Sequence, residues 1–231
     1  MRINKYVSLT GFCSRRQTDR LIGEGRITIN GRICEPGDEV EASDLVLIDQ
    51  KPIPLKADPI YLLLNKPVGI TCTAAPHVQG NIMDFMNFPQ RIFPVGRLDK
   101  ASQGLIIMTN DGDIVNRIMR SEHDHEKEYV VTLESPYDDE FLSKMAEGVA
   151  ILGTITKPCK VNRVDEHTFT IVLTQGLNRQ IRRMSKELGH KVVRLERIRI
   201  MNLRLDGLKD GEWREFSAEE RKELFRLLGQ E

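Results

Sequence analysis

Apolar residues at helical and then at strand spacing predict a small module over residues 1–48. Asn4 would cap a first helix, and the capping box beginning at Ser14 would open a second one. Alternating apolar and polar residues around Asn30-Gly31 then predict a tight hairpin, and Val46–Ile48 predicts one more strand. Fewer than about 50 residues bury little surface, so we expect this module to be modestly stable.

A proline-rich stretch follows this module. The segment from Asp49 to Pro59 contains three prolines and no periodic apolar pattern, which is typical of a semi-extended linker. We therefore expect a first domain at residues 1–48, a linker at 49–58 and a second domain at 59–231.

Several apolar runs in the second domain predict strands with interspersed helices. Ile60–Leu64 predicts a buried strand that ends at the turn sequence Asn65-Lys66-Pro67, and Leu105–Met108 predicts a second buried strand. Further helices are predicted at residues 82–86, 114–119, 138–145, 178–188 and 217–228, and further strands within 129–133, 154–174, 190–205 and 211–216. Because helices and strands do not alternate regularly, the pattern favours an α+β fold over a doubly wound sheet.

The composition indicates a packed interior and argues against a membrane protein. Apolar residues make up 40% of the 231 residues, and no apolar run approaches the length of a membrane span. The N-terminus lacks the long apolar segment of a secretory signal. We therefore expect a cytoplasmic protein with no membrane partner.

The cysteines and histidines show no pattern of a metal site. The four cysteines are Cys13, Cys34, Cys72 and Cys159. None of them forms a Cys-x-x-Cys pair, and His123 and His125 make only an isolated His-x-His. We expect no metal and no disulfide, and interpret the cysteines as buried filler, with a catalytic cysteine as the alternative.

The charges are unevenly distributed although the formal net charge is zero. Residues 1–34 hold seven basic and two acidic side chains, and residues 176–200 hold eight basic and two acidic ones. Two basic surfaces on a neutral chain are typical of binding to a polyanion. The alternative is two helix faces that are simply solvated.

The second basic segment favours contact with nucleic acid. At about 100° per residue, a helix capped by Asn178 separates its bases from its apolar residues. The basic stripe consists of Arg179, Arg182, Arg183 and Lys186, and the apolar stripe of Ile181, Met184 and Leu188. A solvated helix usually mixes acids with bases, whereas Glu187 is the one acid in this run, so we prefer contact with RNA phosphates.

The loop before the strand Leu105–Met108 holds the most promising carboxylate. Asp99 follows the basic Arg97 by two residues and precedes the strand directly. A carboxylate on a loop beside a rigid strand is well placed for catalysis. Aspartate is also common in turns, and these residues alone favour the turn interpretation.

Residues 1–48 resemble an S4 RNA-binding domain. The resemblance rests on the stretches Asn4–Ser8, Cys13–Arg16 and Glu24–Gly31. It implies two helices and a hairpin that present basic side chains to RNA.

The chain as a whole resembles the RsuA-type pseudouridine synthases of bacterial ribosomal RNA, and most of all their RluF-like, large-subunit branch. The motifs that carry the resemblance are Leu64–Pro67, Gly96–Leu105, His125–Tyr129 and Gln175–Met184. The resemblance implies a catalytic domain built on a mixed, mainly antiparallel sheet flanked by helices. It also implies that a specific uridine of ribosomal RNA is isomerised to pseudouridine without a cofactor or metal.

The same resemblance implies roles for individual residues. Asp99 would be the catalytic nucleophile or base on a flipped-out nucleotide, and Arg182 would be its positive partner. Tyr129 would stack on the target base, and Arg97 would fill the space that the uridine leaves. Alternatively, Tyr129 would be an ordinary half-buried strand residue, and Arg97 would be a simple charge neighbour of Asp99. The residues expected to contact RNA are Lys5, Arg15, Arg16, Arg20, Arg26, Lys66, Arg179, Arg183 and Lys186.

Three functional hypotheses follow. The first is an RNA-modifying isomerase that acts as a monomer on ribosomal RNA. The resemblance implies 23S RNA for this branch and leaves transfer RNA open as a second substrate. The second is a non-catalytic RNA-binding ribosome-assembly factor on the same scaffold. The third, a hydrolase that uses Asp99 as base, lacks a Ser/His/Asp or metal constellation. The joint presence of Asp99, Tyr129 and Arg182 favours the isomerase.

Overall fold

The computed structural model describes residues 1–75, 77–119 and 124–229. Contacts divide the chain into two compact units. The first contains Met1–Ile60, Phe88–Ile92 and Asn110–Gly112, and the second contains Tyr61–Asn87, Phe93–Thr109 and Asp113–Glu231. His123, part of the isolated His-x-His, lies outside the described residues.

The first unit contains two helices and a small antiparallel sheet. Its elements are α1 (Ile3–Leu9), α2 (Arg15–Gly23), β1 (Ile27–Ile29), β2 (Arg32–Ile33), β3 (Val46–Ile48) and β4 (Lys51–Pro52). The strand order is β2-β1-β3-β4. Apolar side chains from both helices and from β1 and β3 form one core.

The capping box and the hairpin are confirmed. The Ser14 hydroxyl accepts a hydrogen bond from the Gln17 amide (3.2 Å), and the Gln17 side chain accepts one from the Ser14 amide (2.9 Å). Asn30 and Gly31 have φ values of 52° and 83°, as a two-residue hairpin turn with the twist of the strands requires.

The first helix begins earlier than predicted, and its predicted cap is wrong. Arg2 occupies the N-cap position, with no side-chain hydrogen bond. Asn4 lies inside α1, where its side-chain amide donates to Asp19 (2.9 Å). Ile3 is 1% exposed within the core, so burial of an apolar side chain sets the helix start instead of a polar cap.

Strand β4 lies inside the predicted linker, and this corrects the expectation of an unpaired segment there. Lys51 and Pro52 pair with β3, and Asp49 and Gln50 make the turn with φ values of 51° and 63°. Asp-Gln is not a preferred sequence for such a turn, so the hairpin gave no clear signal. The domain boundaries at 48 and 58 stay a prediction.

The second unit contains the larger sheet. Its strands are β5 (Tyr61–Lys66), β6 (Phe93–Val95), β7 (Gln103–Thr109), β8 (Lys127–Leu133), β9 (Ala150–Ile151), β10 (Thr154–Ile155), β11 (Lys160–Arg163), β12 (Thr168–Leu173), β13 (Val192–Ile200), β14 (Leu203–Arg204) and β15 (Trp213–Glu215). The remaining helices are α3 (Ile82–Met86), α4 (Gly112–Met119), α5 (Asp139–Glu147), α6 (Gln180–Glu187) and α7 (Ala218–Leu227).

The large sheet is mixed and mainly antiparallel, and the predicted α+β class is confirmed. Its order is β11-β12-β8-β13-β7-β5-β15, with β14 on β13 and β6 on β7. Of these pairs, the described residues show a parallel arrangement between β7 and β13 and antiparallel arrangements elsewhere.

Two apolar cores cover this sheet. One gathers side chains of α5 and α6 with those of β8, β12 and β13, and the other gathers side chains of α4 and α7 with those of β5 and β7. Leu105–Met108 in β7 are all 0% exposed, because this strand is covered on both faces. The strand that follows the Asp99 loop is therefore rigidly held.

Strand β5 continues beyond its predicted end. Asn65 and Lys66 pair with the start of β7, and the Asn65 backbone also bonds to Gly211 (2.8 Å) and Glu212 (2.9 Å). Backbone partners on both sides keep the segment extended and override the turn preference of Asn-Lys-Pro.

We predict that Gly104→Ala lowers the free energy of unfolding by roughly 3 kcal/mol. Gly104 has a φ of +106°, and a Cβ there would lie 2.3 Å from the Arg197 carbonyl oxygen across the β7–β13 pair. Denaturant unfolding measures the effect. Gly176→Ala is the control, since nothing lies within 4 Å of its Cβ position. Equal stability of the two variants would contradict the predicted clash.

Candidate active site

A cavity of about 680 Å³ lies in the second unit. The loop after β6 and the segment between β12 and α6 form its walls, and side chains of β8, β12 and β13 form its floor. Its lining includes Arg97, Asp99, Ser102, Lys127, Tyr129, Asn178, Arg179 and Arg197. Its volume is in the range of small-ligand pockets.

Strand register places the floor residues on one face. Tyr129 pairs with Ile171 of β12 and with Arg197 of β13, and paired residues share a face of an antiparallel sheet. Lys127 is two residues from Tyr129, so its side chain emerges on the same face. The sheet therefore brings two basic groups and one aromatic ring to the cavity floor.

The Asp99 loop is a hydrogen-bonded turn beside the cavity. The Asp99 carbonyl accepts from the Ser102 amide (3.0 Å), and the Lys100 carbonyl accepts from the Gly69 amide (2.7 Å). The Leu98 amide donates to the Cys72 sulfur (3.4 Å). The turn interpretation of Asp99 is confirmed, and its half-buried side chain lines the cavity.

Arg182 supports this turn without lining the cavity. Its guanidinium donates to the Ala101 carbonyl (2.8 Å), the Ser102 hydroxyl (3.3 Å) and the Val192 carbonyl (3.0 Å). Burial lowers the pKa of Arg182, and the negative charge of Asp99 opposes that shift. Within the part of the chain that the structure describes, the two side chains form no ion pair shorter than 4 Å, so their attraction is longer-ranged.

The structure brings Asp99, Tyr129 and Arg97 together at one cavity. Tyr129 is half-buried on the floor, and Arg97 is exposed at the wall two residues before Asp99. A carboxylate, an aromatic face and an exposed cation can hold and attack a planar, phosphate-linked ring.

The start of α6 differs from the prediction. Arg179, with a φ of 52°, is the N-cap, and no side chain caps the helix. Asn178, the predicted cap, instead accepts hydrogen bonds from Arg183 through its backbone carbonyl (2.9 Å) and side-chain oxygen (3.1 Å). Arg179 and Lys186 stay exposed, and Arg179 lines the cavity. A non-glycine residue in the left-handed region is typical of functional sites.

The predicted phosphate contact of Lys66 is corrected by its burial. Lys66 is 0% exposed, and its ammonium donates to the carbonyls of Pro67 (2.7 Å) and Ile70 (2.9 Å). Burial lowers its pKa, while Cys72, Asp210 and Asp99 oppose the shift. Lys66 thus positions the loop after β5 instead of facing RNA phosphates.

Four predicted RNA contacts lie on the helices of the first unit. Arg15, Arg16 and Arg20 on α2 are exposed, and Lys5 on α1 is half-buried. These side chains carry the positive surface expected of this unit.

Arg26 in the first unit is compensated by acids. Its guanidinium makes two hydrogen bonds to the Asp49 carboxylate (2.8 and 2.6 Å) and one to Glu24 (3.0 Å). The Asp49 hydrogen bond, followed by that of Glu24, raises the pKa of Arg26. Arg26 is therefore a weaker candidate for phosphate contact than the α2 arginines.

Two basic residues of the floor, Lys127 and Arg197, had not been predicted as site residues. Arg197 is 3% exposed, and its Nε donates to the Leu105 carbonyl (2.7 Å). Lys127 makes a long hydrogen bond to the His125 carbonyl (3.4 Å), and burial lowers its pKa to about 8 with a smaller effect of Arg197. The signal available in the sequence was the Lys-x-Tyr spacing, which places both side chains on one strand face.

The described residues contain neither a metal-binding cluster nor a membrane-spanning helix. In residues 1–75, 77–119 and 124–229, no three or more His, Cys, Asp and Glu side chains cluster in a way that could hold a metal ion. No described helix combines the length and apolar character needed to span a bilayer.

Residues 60–187 match the family model described as RNA pseudouridylate synthase, and residues 1–46 match the S4 domain. The chain belongs to the RNA pseudouridylate synthase family. It is 52% identical over 229 residues to the dual-specificity RNA pseudouridine synthase RluF of Salmonella typhi, covering 98% of this chain and 79% of that protein. The resemblance to the RluF-like branch is thereby confirmed.

More distant relatives extend the comparison. Ribosomal large subunit pseudouridine synthase B of Bacillus subtilis is 34% identical, and the match covers 96% of this chain and 95% of that protein. A crystal structure of a pseudouridylate synthase superposes with a TM-score of 0.71 at 29% identity and covers 98% of this chain and 99% of that one. The predicted S4-plus-synthase fold is thus confirmed over nearly the full length.

We predict that Lys127→Met raises the free energy of unfolding at pH 7 by about 2 kcal/mol, because it removes a charge that burial disfavours. The effect is smaller than the full pKa shift implies, since the ammonium is partly solvated. Between pH 8 and 10.5 the unfolded chain binds a proton on Lys127 that the folded chain has released. Wild-type stability therefore rises with pH across this window relative to the variant.

Urea unfolding of both proteins from pH 7 to 10.5 checks this. Lys144→Met is the control, because Lys144 is an exposed residue paired with Glu140 (2.6 Å). A Lys127→Met variant that is less stable than wild type at pH 7 would show that the ammonium is not strained by burial.

Proposed function

We propose that this chain isomerises a specific uridine of ribosomal RNA to pseudouridine. The observation that carries the proposal is the half-buried Asp99 carboxylate, held by a turn at a cavity whose floor presents Tyr129. Family membership supports it, and the names of relatives that act on ribosomal large subunits favour 23S RNA as the substrate.

The reaction needs no change of oxidation state. The N1–C1′ bond of the uridine breaks, the base rotates, and C5 joins C1′ while the C5 proton is lost and N1 gains a proton. Asp99 either attacks C1′ or C6, or removes a ribose proton to give a glycal. Since atoms and electrons balance within the nucleotide, we propose that no cofactor takes part.

The remaining cavity residues would hold the nucleotide. A base inside a duplex is unreachable, so the uridine must flip out of the stack. We propose that Tyr129 stacks on the flipped base and that Arg97, exposed beside the cavity, fills the space left in the RNA. Arg182 would fix the Asp99 turn through its bonds to Ala101 and Ser102 and would favour the ionised carboxylate.

Exposed basic side chains of the protein would bind the surrounding RNA. The α2 arginines belong to a unit that matches the S4 domain, and Arg179 and Lys186 lie along α6 next to the cavity wall. Arg183 is drawn back by its bonds to Asn178 but lies on the same helix. We propose these as the phosphate contacts.

We propose further that the chain works as a cytoplasmic monomer and that transfer RNA is a second candidate substrate. The relatives named dual-specificity enzymes support a second kind of RNA. The competing function, a non-catalytic ribosome-assembly factor, would require RNA binding alone. The convergence of Asp99 and Tyr129 on one cavity favours catalysis.

We predict that Asp99→Asn lowers the rate of tritium release from RNA labelled at uridine C5 by about 10⁴-fold or more, because the amide can act neither as nucleophile nor as base. Binding of the same RNA should change little. Asp206→Asn, at an exposed carboxylate outside the cavity, is the matched control. Unchanged release by Asp99→Asn would refute the catalytic assignment, and a wild-type protein that binds RNA without release would favour the assembly-factor hypothesis.

We predict that joint replacement of Arg15, Arg16 and Arg20 by Gln weakens RNA binding and reduces the salt slope of log Kd by about two to three. Fluorescence anisotropy from low to high salt measures it. The control replaces Lys144, Lys191 and Arg226 by Gln, since each of these exposed bases already pairs with an acid. Equal slopes for both triple variants would mean that α2 does not contact phosphates.

A further inference from the structure

Two cations, the half-buried Lys127 and the buried Arg197, line the cavity floor with Tyr129 and have no role in the reaction as described so far. Arg197 pairs with Tyr129 across β8 and β13, and Lys127 lies two residues before Tyr129 on β8. All three side chains therefore share the face that a stacked base would cover.

Arg197 has an unused hydrogen-bond donor. Its Nε donates to the Leu105 carbonyl (2.7 Å), whereas its Nη2 is buried and has no partner among the described residues. The side chain is only 3% exposed, so water does not readily replace a partner. An unsatisfied buried donor costs roughly 1–3 kcal/mol, and an oxygen of a bound ligand would satisfy it.

Lys127 is similarly unmatched. Its ammonium makes one long hydrogen bond, to the His125 carbonyl (3.4 Å), and in the described part of the chain no carboxylate lies within 4 Å of it or of Arg197. Burial and the nearby Arg197 both disfavour its charged form and lower its pKa. A cation kept without a counter-ion in a cavity is a candidate functional group.

We propose that Lys127 and Arg197 bind the carbonyl oxygens of the target uracil and stabilise the negative charge that develops on the ring during isomerisation. This inference rests on the proposed function. It assigns the two residues to the base, whereas Arg179, exposed at the cavity wall, is proposed as a phosphate contact and Arg97 as the side chain that fills the space left in the RNA.

The electron balance requires such stabilisation. When the N1–C1′ bond breaks, its electron pair stays with the base, which becomes a uracil anion with charge on N1, O2 and O4. C1′ is then bonded to the Asp99 carboxylate, or becomes part of a glycal after Asp99 takes the C2′ proton. If Asp99 adds to C6 first, the negative charge develops on O4. The base gives an electron pair back to C1′ when C5 bonds to that carbon, and the C5 proton then leaves.

Positive groups aimed at developing charge in a water-poor site are worth far more than in water. In each route part of the charge lies on the carbonyl oxygens of the uracil, which a stacked base would present at its edges. The floor offers one ammonium, from Lys127, and one guanidinium, from Arg197. Among the described residues that line the cavity, the one acid is Asp99.

The test compares Lys127→Met and Arg197→Met with wild type on an RNA fragment that carries either uridine or 5-fluorouridine at the modified position. Fluorine withdraws electrons and makes the departing base a more stable anion. Single-turnover consumption of the parent nucleoside is followed by chromatography of the digested RNA. Lys160→Met is the control, since Lys160 lies on β11 of the same sheet, 79% exposed and outside the cavity.

We expect each variant to be slowed by about 10²-fold on uridine and by less than about 10-fold on 5-fluorouridine. RNA affinity should change little, because the effect is on developing charge. Lys160→Met should match wild type on both substrates. A loss of the same size on both substrates, or no loss, would overturn the proposal and indicate a structural role.

A folding defect and a failure of the proposed function can be distinguished from these results. If Lys127→Met unfolds, Lys127→Arg, which keeps a cation, replaces it and should retain most of the activity. A Lys127→Arg variant slowed by about 10²-fold on both substrates contradicts the proposal. If wild type and Asp99→Asn consume uridine at the same rate, the proposed function fails as well. If only Asp99→Asn is inactive and the floor variants are unaffected, the proposed function stands and this inference alone fails.

Discussion

The close approach of β7 and β13 at Gly104 sets the geometry of the candidate active site. A Cβ on Gly104 would lie 2.3 Å from the Arg197 carbonyl oxygen, so the two strands meet at this point only because the residue is glycine. The Asp99 turn leads directly into β7, and Arg197 pairs with Tyr129 of β8. One parallel backbone contact therefore fixes the carboxylate-bearing turn relative to the aromatic floor.

The electrostatics around that contact are unbalanced. Arg182 holds the turn, and Arg197 and Lys127 lie at the floor, yet Asp99 is the carboxylate that lines the cavity with them. Burying cations without paired acids lowers stability. Proteins retain such arrangements where function requires them, and a reaction that places negative charge on a bound ring gives these cations their counter-charge.

RNA recognition depends on where charge is placed and not on its total. The formal net charge is zero, while α2 and the α6 region carry clustered exposed bases. Arg26 and Lys66 show that a basic residue is not automatically a phosphate contact, since acids neutralise the first and the second is enclosed by backbone carbonyls. The exposure of a basic side chain, and whether an acid or a backbone carbonyl already binds it, decide whether it can face a polyanion.

Features that depend on neighbouring residues could be predicted from the amino-acid sequence. The Ser14 capping box, the Asn30-Gly31 hairpin, the buried strand Leu105–Met108 and the α+β class all follow from local pattern, and the motif around Asp99 indicated the site. Three features depend on contacts between distant segments: Lys66 is enclosed, Asn178 does not cap α6, and Lys127 and Arg197 form the floor with Tyr129. Periodicity and capping are properties of adjacent residues, whereas the burial of a charge depends on which distant strands and loops cover it.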